Sequence, residues 1–97
     1  MVIMRFKVKV TPEKSEDVRS ALEAVIAPSR ALAGVVHFDI ARDLVDEDAF
    51  IATEVYEDAS VLERQEELPE VRSALSLIRE CTVEREATLY HVAATAA

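Results

Sequence analysis

The segment 49–57 constrains this chain most. Phe50, Ala52, Glu54 and Tyr56 alternate there with Ile51, Thr53 and Val55. A period of two sends the first set to one face of a strand and the second set to the other. Both sets are substantially apolar. A sheet that is apolar on two faces has to be covered on two faces, and a single layer of helices covers only one. The chain must therefore build a sheet, place its helices on one side, and find a second cover for the other.

The remaining segments fit that requirement. Residues 2–10 alternate strictly, with Val2, Met4, Phe6, Val8 and Val10 on one face and Ile3, Arg5, Lys7 and Lys9 on the other. The break at Thr11-Pro12-Glu13 has the pattern of a helix start, with Thr11 as N-cap and Pro12 at the first helical position. Val18, Ala21, Leu22, Val25 and Ile26 then recur at helical spacing. Pro28 predicts a kink or a stop near Ala27, because proline lacks an N–H and crowds the preceding turn. Gly34 marks the turn into the next strand. Residues 35–42 and 49–57 flank the acidic turn 43–48, and so short a link implies an antiparallel hairpin. Asp58 is a plausible N-cap for a short helix over 59–67, Pro69 starts another, and residues 81–92 alternate as a last strand.

The order β-α-β-β-α-α-β predicts an α+β, ferredoxin-like sandwich: a four-stranded antiparallel sheet with helices on one face. Two-fold pairing of sheets is the economical cover for the other face, so a homodimer is expected. The whole of 1–97 reads as a single domain with its core at about 2–92, and the tail 93–97 is expected to fray. Arg5, Lys7 and Lys9 form a basic row on the first strand, and Glu84 and Glu86 an acidic row on the last. These strands are neighbours in this order, and opposite charges across them are expected to pair.

Composition removes several function classes. The net charge of −8 argues against nucleic-acid binding, which needs a basic surface. The single Gly excludes glycine-rich phosphate loops, and the single Cys excludes an internal disulfide or a multi-cysteine zinc site. The two histidines, His37 and His91, stand far apart in sequence and form no metal-binding spacing, so no metal is expected. No apolar run has the length of a membrane span, and the N-terminus lacks the block order of a signal peptide. A cytoplasmic protein without cofactor, nucleic-acid or membrane partner is the expectation. Cys81 reads as a small buried hydrophobe.

Two stretches carry a family resemblance. The segment Ala27-Pro28-Ser29-Arg30-Ala31-Leu32-Ala33-Gly34-Val35-Val36-His37-Phe38-Asp39-Ile40 resembles the link from first helix to second strand in the antibiotic biosynthesis monooxygenase family. The segment Phe50 to Leu62, with Glu54 two residues before Tyr56, is similar to that family's central strand and the helix after it. Leu89-Tyr90-His91-Val92 fits its closing strand. The resemblance implies a dimeric α/β barrel. It also implies cofactor-independent oxygenation of an aromatic or quinone-like substrate, in which the substrate anion itself delivers electrons to dioxygen. The family's cofactor-free oxygenases use Asn, Trp and Tyr around the substrate, and its haem degraders use Asn, Trp and a His ligand. This chain has no Asn and no Trp. Tyr56 stands where the family Trp is usual, Gln65 where many members have His, and Glu70 where a second His is often seen.

The candidate residues follow. Tyr56 is the catalytic candidate, a phenol able to hydrogen-bond a substrate oxygen or donate a proton. Gln65, on the inner stripe of the short helix, His37 and Glu54 are expected to bind a small apolar or aromatic molecule in the pocket. Glu54 sits mid-strand among apolar neighbours. Its two readings are an ion pair with Arg5 or Arg30, or a general base with a raised pKa. Two other functions stay open: a non-catalytic dimer that binds a ligand or serves assembly, and an isomerase or cyclase on the same fold.

Overall fold

The computed structural model describes residues 1–93. Strand β1 spans Val2–Val10, and a 3-10 turn over Pro12–Lys14 leads into helix α1, Ser15–Arg30. The hairpin of β2 (Val35–Asp43) and β3 (Asp46–Tyr56) follows. Helices α2 (Ala59–Glu66) and α3 (Pro69–Cys81) come next, and β4 (Thr82–His91) closes the sheet. The strand order is β2-β3-β1-β4, with every neighbouring pair antiparallel. This is the ferredoxin-like α+β arrangement expected from the order of elements. Of the tail expected to fray, residues 94–97 lie outside the described residues.

The predicted alternation sets the layers. Val2, Val8 and Val10 of β1 and Phe50, Ala52, Glu54 and Tyr56 of β3 are buried on the helix side. Val8, Val10 and Phe50 pack with Val18 of α1 and with Ile78 and Cys81 of α3. Val25, Phe38, Val71 and Ala74 pack together where α1 and α3 cross β2. Val2 and Tyr56 meet Val61 and Leu62 of α2. On the other side of the sheet Ile3, Ile51 and Val55 are half-buried, while Arg5, Thr53 and Tyr90 are exposed.

Three local expectations change. Of the kink or stop expected near Ala27 the stop does not occur: helix α1 continues through Pro28 to Arg30. The carbonyl that Pro28 leaves without a donor belongs to Ala24, which is exposed, so water can serve it. The internal proline costs about 3 kcal/mol, and burial of Val25 just before it, at about 1.5–3 kcal/mol, together with Ser29 after it, holds the last turn in place. Thr11 makes no side-chain cap; its backbone N–H instead donates to the Cys81 carbonyl at 3.0 Å, tying the end of β1 to the end of α3. The hairpin is also tighter than the acidic segment suggested. Asp43 and Asp46 pair as strand partners, leaving only Leu44 and Val45 at the tip.

The basic row of β1 reaches the two aspartates that flank this turn. The register sets Lys7 opposite Glu86 and Lys9 opposite Glu84, as expected. The ammonium groups turn the other way, however. Lys7 Nζ lies 3.2 Å from Asp43 and Lys9 Nζ 3.0 Å from Asp46. Among the described residues neither Glu84 nor Glu86 enters an ion pair. Asp43 also accepts from the Val45 backbone N–H, and both contacts hold its carboxyl below the usual carboxylate range.

Asp58 caps α2, accepting from the Ser60 backbone N–H at 2.9 Å. Gly34 is the backbone hinge between α1 and β2. Its φ is +92°, and an added Cβ would stand 2.6 Å from Cγ2 of Val61. Gly34→Ala therefore combines a strained backbone with overpacking, and should cost about 2–4 kcal/mol. Chemical denaturation checks this. Adding Val61→Ala should recover part of the loss, giving a non-additive double-mutant cycle.

Candidate active site

Between the sheet and the helices lies a cavity of about 300 Å³. Its walls are mostly apolar: Phe6 and Met4 from β1, Phe38 and Ile40 from β2, and Leu22, Leu62, Val71 and Ile78 from the three helices. That volume and lining are those of a small-molecule site. A few polar groups interrupt the apolar wall. Glu54, Gln65 and Glu66 lie toward the N-terminal end of β1, and Arg79, Thr82 and Arg85 toward its C-terminal end.

Glu54 is the most perturbed group facing this space. It is buried on the central strand between Met4 and Phe38 on the neighbouring strands. Burial pushes its carboxyl up from 4.5 to about 7. The Tyr56 hydroxyl opposes that shift by donating a hydrogen bond to Glu54 Oε1. The nearby charge of Glu66 pushes in the same direction as burial. At neutral pH the carboxyl is thus poised between its acid and base forms, the condition for efficient general acid–base work.

Tyr56 is fully buried and does not line the cavity. Burial first, and the Glu54 charge second, raise its phenol far above the usual range, so it keeps its proton. Its hydroxyl is committed to Glu54 and not to the cavity. The sequence placed both Tyr56 and Glu54 at the substrate; in the structure Glu54 lines the cavity, while Tyr56 lies outside its wall and hydrogen-bonds Glu54. The ion pair suggested for Glu54 is likewise absent. Arg5 projects from the opposite face of the sheet, because Thr53 and not Glu54 is its partner. Arg30 donates to the Phe38 carbonyl at 2.9 Å and pairs with Asp39 at 3.1 Å.

Gln65 lies where the inner stripe predicted. It is buried and lines the cavity, and its Nε2 donates to Ser29 Oγ at 3.1 Å. Ser29 is itself wholly buried in the last turn of α1. His37 falls outside the site: it is exposed on the edge strand β2 and does not line the cavity. The physical reason is register. His37 lies opposite Val55, on the face away from the helices. His91 lies on β4, at the other edge of the sheet. Cys81 is buried, its thiol pushed up mainly by burial and donating to the Leu77 carbonyl. Arg79 and Arg85 are cavity residues that the sequence reading passed over. The available signal was alternation, which puts Arg85 on the same face of β4 as Ala87 and Leu89.

The sequence model of the family described as antibiotic biosynthesis monooxygenase matches residues 1–76. No curated protein matches the chain significantly. Several solved structures share the fold. Protein PA3566 of Pseudomonas aeruginosa superposes with a TM-score of 0.85 at 22% identity, covering 96% of this chain and 94% of that one. Rv0793 of Mycobacterium tuberculosis gives 0.86 at 18% identity, covering 99% and 98%. A structure described as an antibiotic biosynthesis monooxygenase gives 0.86 at 16% identity, covering 97% and 100%. At these identities the likeness speaks for the fold alone.

The raised carboxyl has a consequence for stability. The folded chain holds the Glu54 proton more tightly than the unfolded chain, so ionisation costs stability as pH rises from 4.5 through about 7. Above that the cost is constant, at about 3 kcal/mol for the gap between the two values. Glu54→Gln keeps an acceptor for Tyr56 without the charge. The variant should exceed the parent by up to about 3 kcal/mol at about pH 8, with the gain gone at about pH 4. Urea denaturation across that range checks it; a pH-independent difference would show that no buried charge is involved.

Proposed function

Because this chain belongs to the antibiotic biosynthesis monooxygenase family, we propose that its cavity binds an aromatic or quinone-like molecule and oxygenates it with dioxygen. One observation carries this reading: a carboxyl with a pKa near 7 is buried at the wall of an apolar cavity of about 300 Å³. The sequence offers no glycine-rich loop for a nucleotide cofactor, which favours chemistry run by the substrate's own electrons.

Glu54 is the general base. It takes the proton from a phenolic O–H or an activated ring C–H. The apolar wall excludes water and holds the ring, so the anion forms facing its oxidant. The substrate anion then passes its electrons to dioxygen. One oxygen atom becomes a new ring carbonyl and the other leaves as water: a CH₂ of an anthrone-type ring becomes C=O, or a ring CH and the C–OH of a phenol together become the two C=O groups of a quinone. Either change supplies the four electrons that dioxygen takes up, and the two hydrogens lost by the substrate go to the water, so no external reductant is needed. Tyr56 positions Glu54 and favours its charged form. Gln65, steadied by Ser29, orients the polar edge of the ring. A second copy of the chain covers the open face of the sheet, shielding Ile3, Ile51 and Val55.

Oxygen uptake with a panel of hydroxynaphthalenes, anthrones and quinols tests the activity. Glu54→Gln should lower kcat/KM by about 10²–10⁴. The pH profile of kcat/KM should rise with an apparent midpoint near 7, because only ionised Glu54 accepts a proton. Tyr56→Phe removes a hydrogen bond that lowers the Glu54 pKa, so it should move that midpoint to higher pH and leave the plateau less affected. No substrate-dependent uptake across the panel overturns the proposal. Light scattering should give the mass of two chains, and Ile51→Lys on the open face should shift it toward one.

A further inference from the structure

The cavity is electrically lopsided. Glu54, opposite Met4, and the nearby Glu66 stand at one end; Arg85, opposite Val8, and Arg79, next to the Ile78 that packs on Val8 and Val10, stand at the other. The sheet register separates them. Glu54, Met4 and Leu89 form one row across β3, β1 and β4; Phe50, Val8 and Arg85 form another, four residues farther along. Phe6 lies between these rows, and the Arg85 guanidinium stacks over its ring at 5.5 Å from the centroid. Strand spacing places Phe6 about 8 Å from Glu54 at the backbone, so the guanidinium sits on the order of 10 Å from the carboxylate.

Neither arginine is neutralised. Among the described residues Arg79 and Arg85 enter no ion pair, whereas Arg19, Arg30 and Arg42 each meet a carboxylate. Glu84 and Glu86 flank Arg85 in sequence, but strand alternation turns them to the opposite face of the sheet. Two guanidinium groups without a carboxylate partner, at the rim of an apolar cleft, are forked donors suited to an oxyanion.

We propose that the cavity selects an aromatic ligand carrying an oxyanion substituent, with that substituent held by Arg79 and Arg85 and its reacting edge presented to Glu54. The span matches a molecule of two or three fused rings, acid group at one end and phenol or activated carbon at the other. This specificity rests on the reading of the cavity as a small-molecule site. It adds an orientation to that reading: the arginine end fixes which edge of the ring reaches the base.

Calorimetric titration with three probes separates the two ideas: a plain naphthol, a hydroxynaphthoate and a hydroxynaphthalenesulfonate, each acid group on the ring remote from the hydroxyl. Both anionic probes should bind about fivefold to tenfold more tightly than the naphthol, the modest gain that partly exposed charges allow. The advantage should shrink as salt is raised, while naphthol binding holds. The double variant Arg79→Gln/Arg85→Gln should lose the preference and keep the naphthol affinity, and Arg79→Lys/Arg85→Lys should restore part of it. A preference for the carboxylate alone, or for the sulfonate alone, tells which oxyanion geometry the fork accepts and supports the proposal. Equal affinity for all three probes, or a preference that survives in the Gln variant, overturns the oxyanion specificity and leaves the cavity reading standing. Binding of no probe overturns both.

Discussion

Glu54 on the central strand places a carboxyl in the apolar layer between sheet and helices, and the surrounding structure is shaped by the cost of doing so. An ionised carboxylate in such a place is unfavourable unless a partner meets it. Among the described residues no cation does: Arg5 faces the other side of the sheet and Arg30 is engaged on β2. Tyr56, two residues on and therefore on the same face, donates a hydrogen bond to it. A neutral donor offsets burial only in part. The carboxyl is consequently left near 7, where it can hold or release a proton with little driving force either way.

That dyad would be inert in a filled core. It matters because the helices stand off the sheet far enough to leave an apolar space beside Glu54 but not beside Tyr56. The outer walls come from Leu22 on α1, Leu62 on α2 and Val71 on α3. The division of labour between the two residues follows directly. Glu54 borders the space, and Tyr56, which does not, hydrogen-bonds Glu54. The same geometry gives the cavity a polarity along its length, with carboxyls where α2 closes it and guanidinium groups where α3 passes into β4.

Much of the fold was legible because it rests on local periodicity. The alternation of 2–10 and 49–57 sorted the side chains into the two faces that the structure shows, and Pro69 and Asp58 marked helix starts that the structure keeps. Pro28 does not stop the helix, because its cost is local, while the contacts that outweigh it come from Phe38 of β2, Val71 and Ala74 of α3 and Gln65 of α2. The charge rows misled for a related reason. Lys7 and Lys9 do lie opposite Glu86 and Glu84, but the turn between β2 and β3 brings Asp43 and Asp46 within closer reach. A strand register can be read from alternation; the reach of a flexible ammonium cannot.

For the site, the residues themselves already determined that a carboxyl and a phenol would share one face of a central strand, and that Gln65 would look inward from α2. They determined too that His37 and Phe38 would face opposite ways, though not which of them would face the cavity. Tertiary structure decided the rest. It chose Glu54 over Tyr56 as the group in contact with the cavity, left His37 outside, and brought Arg79 and Arg85 to the rim. The reason is physical: periodicity assigns a side chain to a face, but depth, the absence of a neutralising partner and access to a void depend on how separate elements pack against that face.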